Sequence, residues 1–197
     1  MASLLTKRAL EDSLKRLLLQ KPLDKITIAD LTDDCGISRM TFYYHFQDIY
    51  DLVEWSCEED AERALAGNKT AQTWQHGLLN IFLAVRENKP FIMNVYRSVS
   101  AERVQRFLHP AVHDLIKGVV TEHAGGHHVS ERDQDFIADF FAHAFIGVML
   151  DWIRDGMRED PERVVRRVAA VSNGAIESSL THFEVNGAAP QNKAHIA

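Results

Sequence analysis

Gly36-Ile37-Ser38 constrains this chain more than any other tripeptide, because it joins two short stretches that each carry their own helix signals. Before it, the Thr27 hydroxyl can cap a first helix, and Ile28, Leu31 and Cys35 fall at i, i+3, i+7 on one buried stripe. Gly36 stands where a helix end often needs a positive φ. Ile37 plugs the corner and Ser38 caps the second helix. That helix, Arg39 to Phe46, divides by face. Phe42 and Phe46 are four apart and point inward, whereas the pairs Arg39/Tyr43 and Met40/Tyr44 point outward. Two capped helices locked by a glycine corner make a helix-turn-helix.

Tyrosines on a surface helix can pack on a neighbour while their hydroxyls reach water. With the glycine corner and the capped helix before it, the pattern points instead to a recognition helix in the DNA major groove, its N-terminal residues at base edges. Arg39, first on that helix, can donate two bonds to guanine O6 and N7. Met40 offers an apolar surface to a thymine methyl. Thr41, Tyr43, Tyr44 and His45 bring donors suited to phosphates, which position without specifying, and Ser38 at the cap is counted with the DNA-binding residues. Thr27 opens the first helix, where free N–H groups can also meet a phosphate.

Charge does not advertise a nucleic-acid partner. The whole chain carries −6, and residues 1–55 hold seven Lys/Arg against nine Asp/Glu. Distribution matters more than the sum: Lys7, Arg8, Lys15 and Arg16 crowd the first helix, and Asp30, Asp33 and Asp34 sit on the second. The expectation is a shallow salt dependence.

The remainder reads as helix throughout. A first helix over about 4–20 buries Leu10, Leu14, Leu17 and Leu18. A connecting helix starts near Gln47 and runs toward Leu65. Further helices span 71–88, 91–99 and 101–124, with a late start possible at Pro110. A long one runs from Ser130 to Met157, and a last one from Pro161 to Phe183. This is an all-α chain: residues 1–52 form the reader domain, 53–186 a helical regulatory and dimerisation domain, and 187–197 a disordered tail. Phe136, Phe140, Phe141, Ala144, Phe145, Val148 and Trp152 cover so wide an arc of one helix that it must be buried on more than one side. The second side is assigned to another subunit, with Val164, Val168, Val171 and Ala175 completing the interface. Symmetric dimers suit paired half-sites.

Other chemistry finds little support. There is no G-x-S-x-G elbow, Walker loop or dinucleotide glycine fingerprint, so no enzyme activity is expected. Cys35 and Cys57 form no metal-like cluster and are expected to stay reduced in a cytoplasm. His109 and His113 are four apart but lack H-E-x-x-H and any cysteine pair, so neither metal nor cofactor is expected. No apolar run suggests a membrane span and the N-terminus has no signal-peptide pattern.

The residues Thr27, Leu31, Gly36, Ile37, Ser38, Thr41, Phe42, Tyr43, His45 and Phe46 fill the pattern T-x-x-x-[LI]-x-x-x-x-G-[VI]-S-x-x-T-F-Y-x-[HY]-F. In this the chain resembles the N-terminal domain of TetR-type transcriptional regulators. It departs from them at Gln47-Asp48-Ile49, where the family carries a phosphate-binding lysine. TFYYHFQDIYDL and LDWIRDGMREDPERVV are similar to a sub-branch that includes regulators of dihydroxyacetone kinase operons. The resemblance implies a homodimer on double-stranded operator DNA, with an effector or partner protein acting on the C-terminal domain. It also implies a ligand pocket, for which Trp74, Phe82, Met93, Tyr96, Arg97, His109, His113 and Met149 are the candidates. A repressor released by ligand is the expectation, with an activator controlled by a partner protein as the alternative.

Overall fold

The computed structural model describes residues 2–65 and 67–187, among which every regular element is a helix. The reader end holds α1 (Ala2–Leu18), a single 3-10 turn (Leu23–Lys25), α2 (Ile28–Cys35) and α3 (Arg39–His45). α4 (Ile49–Leu65) leads into a body of α5 (Trp74–Glu87), α6 (Lys89–Ser98), α7 (Ala101–Ala124), α8 (Glu131–Arg154), α9 (Pro161–Ser172) and α10 (Ala175–Gly187). Two apolar cores organise them. Leu10, Leu14, Leu31, Phe42, Phe46, Leu52 and Val53 fill the reader core. Leu65, Leu78, Phe82, Leu115, Ile116, Ile146 and Met149 belong to the larger core of the body. α4 serves both, through Leu52 and Val53 at one end and Ala61 and Leu65 at the other. Phe91, Val95 and Phe107 of α6 and α7 enter the reader core, so the two ends are packed together.

Several sequence expectations need correction. The last helix is two: Gly174 takes φ +75°, a left-handed conformation cheap only for glycine, and separates α9 from α10. α7 is continuous through Pro110 rather than starting late. The carbonyl that loses its donor there belongs to Arg106, and both residues are exposed, so water can replace the bond. α8 is long and apolar enough to meet the length and composition of a membrane span, yet half of that window is buried inside the protein, as in a core helix. The tail lies, beyond Gly187, outside the described residues.

Gly118 of α7 permits a close approach. A Cβ there would lie 2.3 Å from the Lys69 carbonyl oxygen, so only glycine lets the loop after α4 run against the helix. α7 and α8 form the most extensive helix pair and set the frame on which the other body helices pack.

Candidate nucleic-acid interface

The helix-turn-helix is built by local bonds. The Asp30 N–H donates to Thr27 Oγ1 at 3.1 Å and the Thr27 N–H returns a bond to Asp30 Oδ2 at 2.7 Å, a complete capping box. The Thr27 hydroxyl also donates to Asp30 Oδ2, and Lys21 Nζ stands 2.8 Å from the same oxygen. Lys21 first, then Thr27, holds the Asp30 carboxyl down at about 2. Thr27 was expected to open a helix whose free N–H groups can meet a phosphate. Its own hydroxyl and N–H are both engaged by Asp30.

Gly36 takes φ +66° and Ser38 caps α3, accepting the Thr41 N–H at 3.1 Å. The Ser38 and Thr41 hydroxyls pair at 2.9 Å, so between them they keep one free proton. Phe42 is fully buried and packs on Phe46 at 5.9 Å. On the other side Met40 is 79% exposed, Tyr43 57% and Tyr44 82%. Arg39 is exposed, His45 is half-buried, and the Tyr44 ring stands edge-on to His45 at 5.0 Å. Ile49, where a phosphate-binding lysine is usual in the family, is half-buried against the reader core.

The positive charge of this end is largely engaged. Arg8 pairs with Glu59 at 2.7 Å, Lys15 with Glu11 and Asp60, Arg16 with Asp34, Lys21 with Asp30 and Lys25 with Asp24. Lys7 lies over the Phe46 and Trp55 rings. Among the described residues of this end, Arg39 is the cation left without an ion pair or a ring contact. The cluster on the first helix therefore binds α1 to α4 and α2 rather than facing outward.

At its centre is Glu11, nearly fully buried. Its carboxylate receives Lys15 Nζ at 2.7 Å, the Ser56 hydroxyl at 3.0 Å and Arg8 at 3.4 Å, with Arg63 at 3.6 Å. Two further residues tie reader to body. The Asn94 amide of α6 accepts the Leu23 N–H and donates to the carbonyls of Leu18 and Lys21, satisfying backbone groups where α1 ends. Arg103 of α7 stacks over Tyr50 of α4 at 4.5 Å. Sequence reasoning missed all three. Only Glu11 left a signal, as a charged residue on the apolar stripe of Leu10, Leu14 and Leu18.

The body distributes the expected ligand and dimer residues differently from the sequence reading. Trp74, Phe82 and Met149 are packed into the core, Trp74 stacking on Phe145 and Phe82 meeting Trp152 at a tilt. Tyr96 is half-buried beside that core. His109 and His113 face Asp139 of α8 instead. Only Met93 and Arg97 of the eight border the main cleft, an open groove of about 1190 Å³ between α6, α8 and α9. Its other walls include Phe140, Ala144, Val148, Val164, Val168 and Val171, all expected at the dimer interface. Val164 and Val168, expected in the interface, are buried in the chain's own core while also lining this groove. Ala175 is half-buried and packs on that core too. Phe136, Phe140, Ala144 and Val148 are exposed at every fourth position of α8, and Val171 on α9 is 82% exposed.

A buried reader core behind an open, aromatic recognition helix, mounted on an all-helical body, defines a helix-turn-helix DNA-binding protein. Residues 12–54 match the family described as bacterial regulatory proteins, tetR family, and residues 72–174 match a transcriptional regulator C-terminal region. The chain belongs to the TetR family of transcriptional regulators, whose members bind operator DNA and form dimers. It is 24% identical, over 78% of its length and 82% of the relative's, to the HTH-type dhaKLM operon transcriptional activator DhaS of Lactococcus lactis. A solved structure of the dihydroxyacetone kinase operon activator DhaS has the same fold, at a TM-score of 0.65 and 21% identity, covering 92% of this chain and 99% of that one. A TetR transcriptional regulator from a Rhodococcus species follows at a TM-score of 0.59 and 16% identity, covering 87% and 96%.

Proposed function

We propose that the chain is a homodimeric repressor in the cytoplasm, reading its operator through α3 and released when an effector engages the C-terminal body. The observation that carries the reading is the division of α3. Phe42 is fully buried, while Arg39, Met40, Tyr43 and Tyr44 stand open. Arg39 reads guanine, Met40 meets a thymine methyl, and Ser38, Thr41, Tyr43, Tyr44 and His45 hold phosphates. The exposed strip Phe136, Phe140, Ala144 and Val148, with Val171 beside it, docks a second copy and sets the two recognition helices roughly 34–36 Å apart. An effector favouring another separation lowers operator affinity by linkage. Asn94 and Arg103 are the contacts through which the body moves the reader.

Gel shift on the intergenic DNA flanking the chain's own gene tests this. Arg39→Ala weakens specific binding by about 1–3 kcal/mol, with the fold unchanged by circular dichroism. No shift by either protein overturns the assignment of that DNA as operator. Because Arg39 is the one cation of the reader end free of ion pairs and ring contacts among the described residues, the salt slope is shallow, and a slope that implies ten or more phosphates per dimer, at roughly 0.9 per phosphate, contradicts the reading.

A second reading is an activator controlled by a partner protein. It is favoured by the similarity to DhaS, named as an operon activator, and by the close packing of Trp74, Phe82 and Met149 where a ligand was expected. Deletion separates the two: loss of an activator silences the target, and loss of a repressor switches it on.

A further inference from the structure

His109 and His113 form an i, i+4 pair on α7, with no H-E-x-x-H motif or cysteine pair beside them, and Asp114 Oδ1 lies 3.8 Å from His113 Nδ1. The fold supplies two further donors from the facing helix. Asp139 of α8 stands between them, its Oδ1 3.3 Å from His109 Nε2 and 3.6 Å from His113 Nε2. One turn along α8, the His143 ring lies 5.0 Å from the His109 ring, and the His109 and His113 rings are 5.6 Å apart. Two i, i+4 pairs, His109/His113 and Asp139/His143, thus face each other across the most extensive helix contact in the molecule. Around a tetrahedral ion with bonds near 2.0–2.1 Å, neighbouring donor atoms sit about 3.3–3.4 Å apart. The two Asp139 distances are close to that edge length.

The orientation of His143 fits as well. Its Nδ1 lies 2.7 Å from the Asp139 carbonyl oxygen, so Nδ1 carries the proton and donates, which leaves Nε2 as a lone-pair donor. Asp139 has no Lys or Arg partner among the described residues. The His109, His113 and Asp139 side chains are 31%, 23% and 47% exposed, which gives an ion a route in from solvent. No three donors are preset to hold an ion as they stand. Binding therefore requires the partly exposed imidazole rings to rotate about their own side-chain bonds.

We propose that His109, His113, Asp139 and His143 form a binding site for a divalent transition metal of the zinc class, clamping α7 to α8. Imidazole with one carboxylate suits zinc, nickel or copper, and not magnesium or calcium. The competing account is two histidines facing one carboxylate, with no ion.

Full-length protein stripped with chelator and titrated with zinc chloride by calorimetry separates the two, with ions per chain counted by elemental analysis after gel filtration. The expected result is one zinc per chain. Asp139→Asn weakens it by about tenfold or more, and the His109→Ala/His113→Ala double variant abolishes it. Cobalt(II) gives the visible absorption of a tetrahedral field in the wild type only. No stoichiometric zinc in the wild type overturns the proposal, as does equal binding by the variants, which places the ion on other histidines. If the double variant fails to fold by circular dichroism, Asp139→Asn and His143→Gln carry the test.

Discussion

Glu11→Ala is the change that most directly tests how the reader is held to the body. The Glu11 carboxylate is buried and receives Lys15, Ser56, Arg8 and Arg63. Removing it leaves the Ser56 hydroxyl, in a fully buried residue, without its acceptor, at a cost of about 1–3 kcal/mol. A charge-assisted bond from Lys15 is lost too, about 1.5–3 kcal/mol in a buried setting. That second figure must be reduced. Lys15 keeps Asp60 at 3.0 Å, Arg8 keeps Glu59 at 2.7 Å, and both cations are a quarter to a third exposed, so water recovers part of the loss. The net expectation is a destabilisation of about 2–4 kcal/mol, within the tail reserved for broken buried networks. Glu11→Gln keeps an oxygen for Ser56 and Lys15 and gives up the charge and the acceptor facing Arg8, which retains Glu59, so it costs less than Ala. Urea unfolding at a fixed protomer concentration measures both, since the stability of a dimer depends on concentration. An Ala variant within about 0.5 kcal/mol of wild type, in the range of an ordinary surface change, refutes the network's structural role. So does a Gln variant as unstable as Ala.

Three further outcomes are expected. Phe140→Glu places a charge on the exposed α8 strip. Losing about 1.5–3 kcal/mol of apolar burial at each of two symmetric positions raises the dimer dissociation constant by roughly 100-fold or more in sedimentation equilibrium. An unchanged constant moves the interface elsewhere. Asp30 has a folded pKa held near 2, below its ordinary 3.8. Its contribution to the α2 cap is therefore complete above pH 4 and disappears as pH falls toward 2, a component that Asp30→Asn removes from the acid-unfolding profile. Gly118→Ala drives a Cβ to 2.3 Å from the Lys69 carbonyl and costs about 1–3 kcal/mol of unfolding free energy, whereas a neutral result shows that the loop after α4 gives way.

The sequence by itself determined what depends on near neighbours in the chain. The Thr27 and Ser38 caps, the left-handed turn at Gly36, the buried Phe42 and the outward Tyr43 and Tyr44 all follow from signals within a few residues. A capping bond spans three residues and a helical stripe repeats every three or four, so both can be read along the chain. Tertiary structure decided whatever needed a partner far away. It joined Glu11 to Ser56 and Lys15 to Asp60, drawing in basic residues that the sequence left as a loose cluster on α1. It moved Trp74, Phe82 and Met149 into the core and left Phe140 and Val171 on an open groove, a choice that periodicity cannot make when a helix is apolar on several sides. It also set Asp139 of α8 between His109 and His113 of α7, because two long helices must pack along one shared face before residues thirty positions apart can act together.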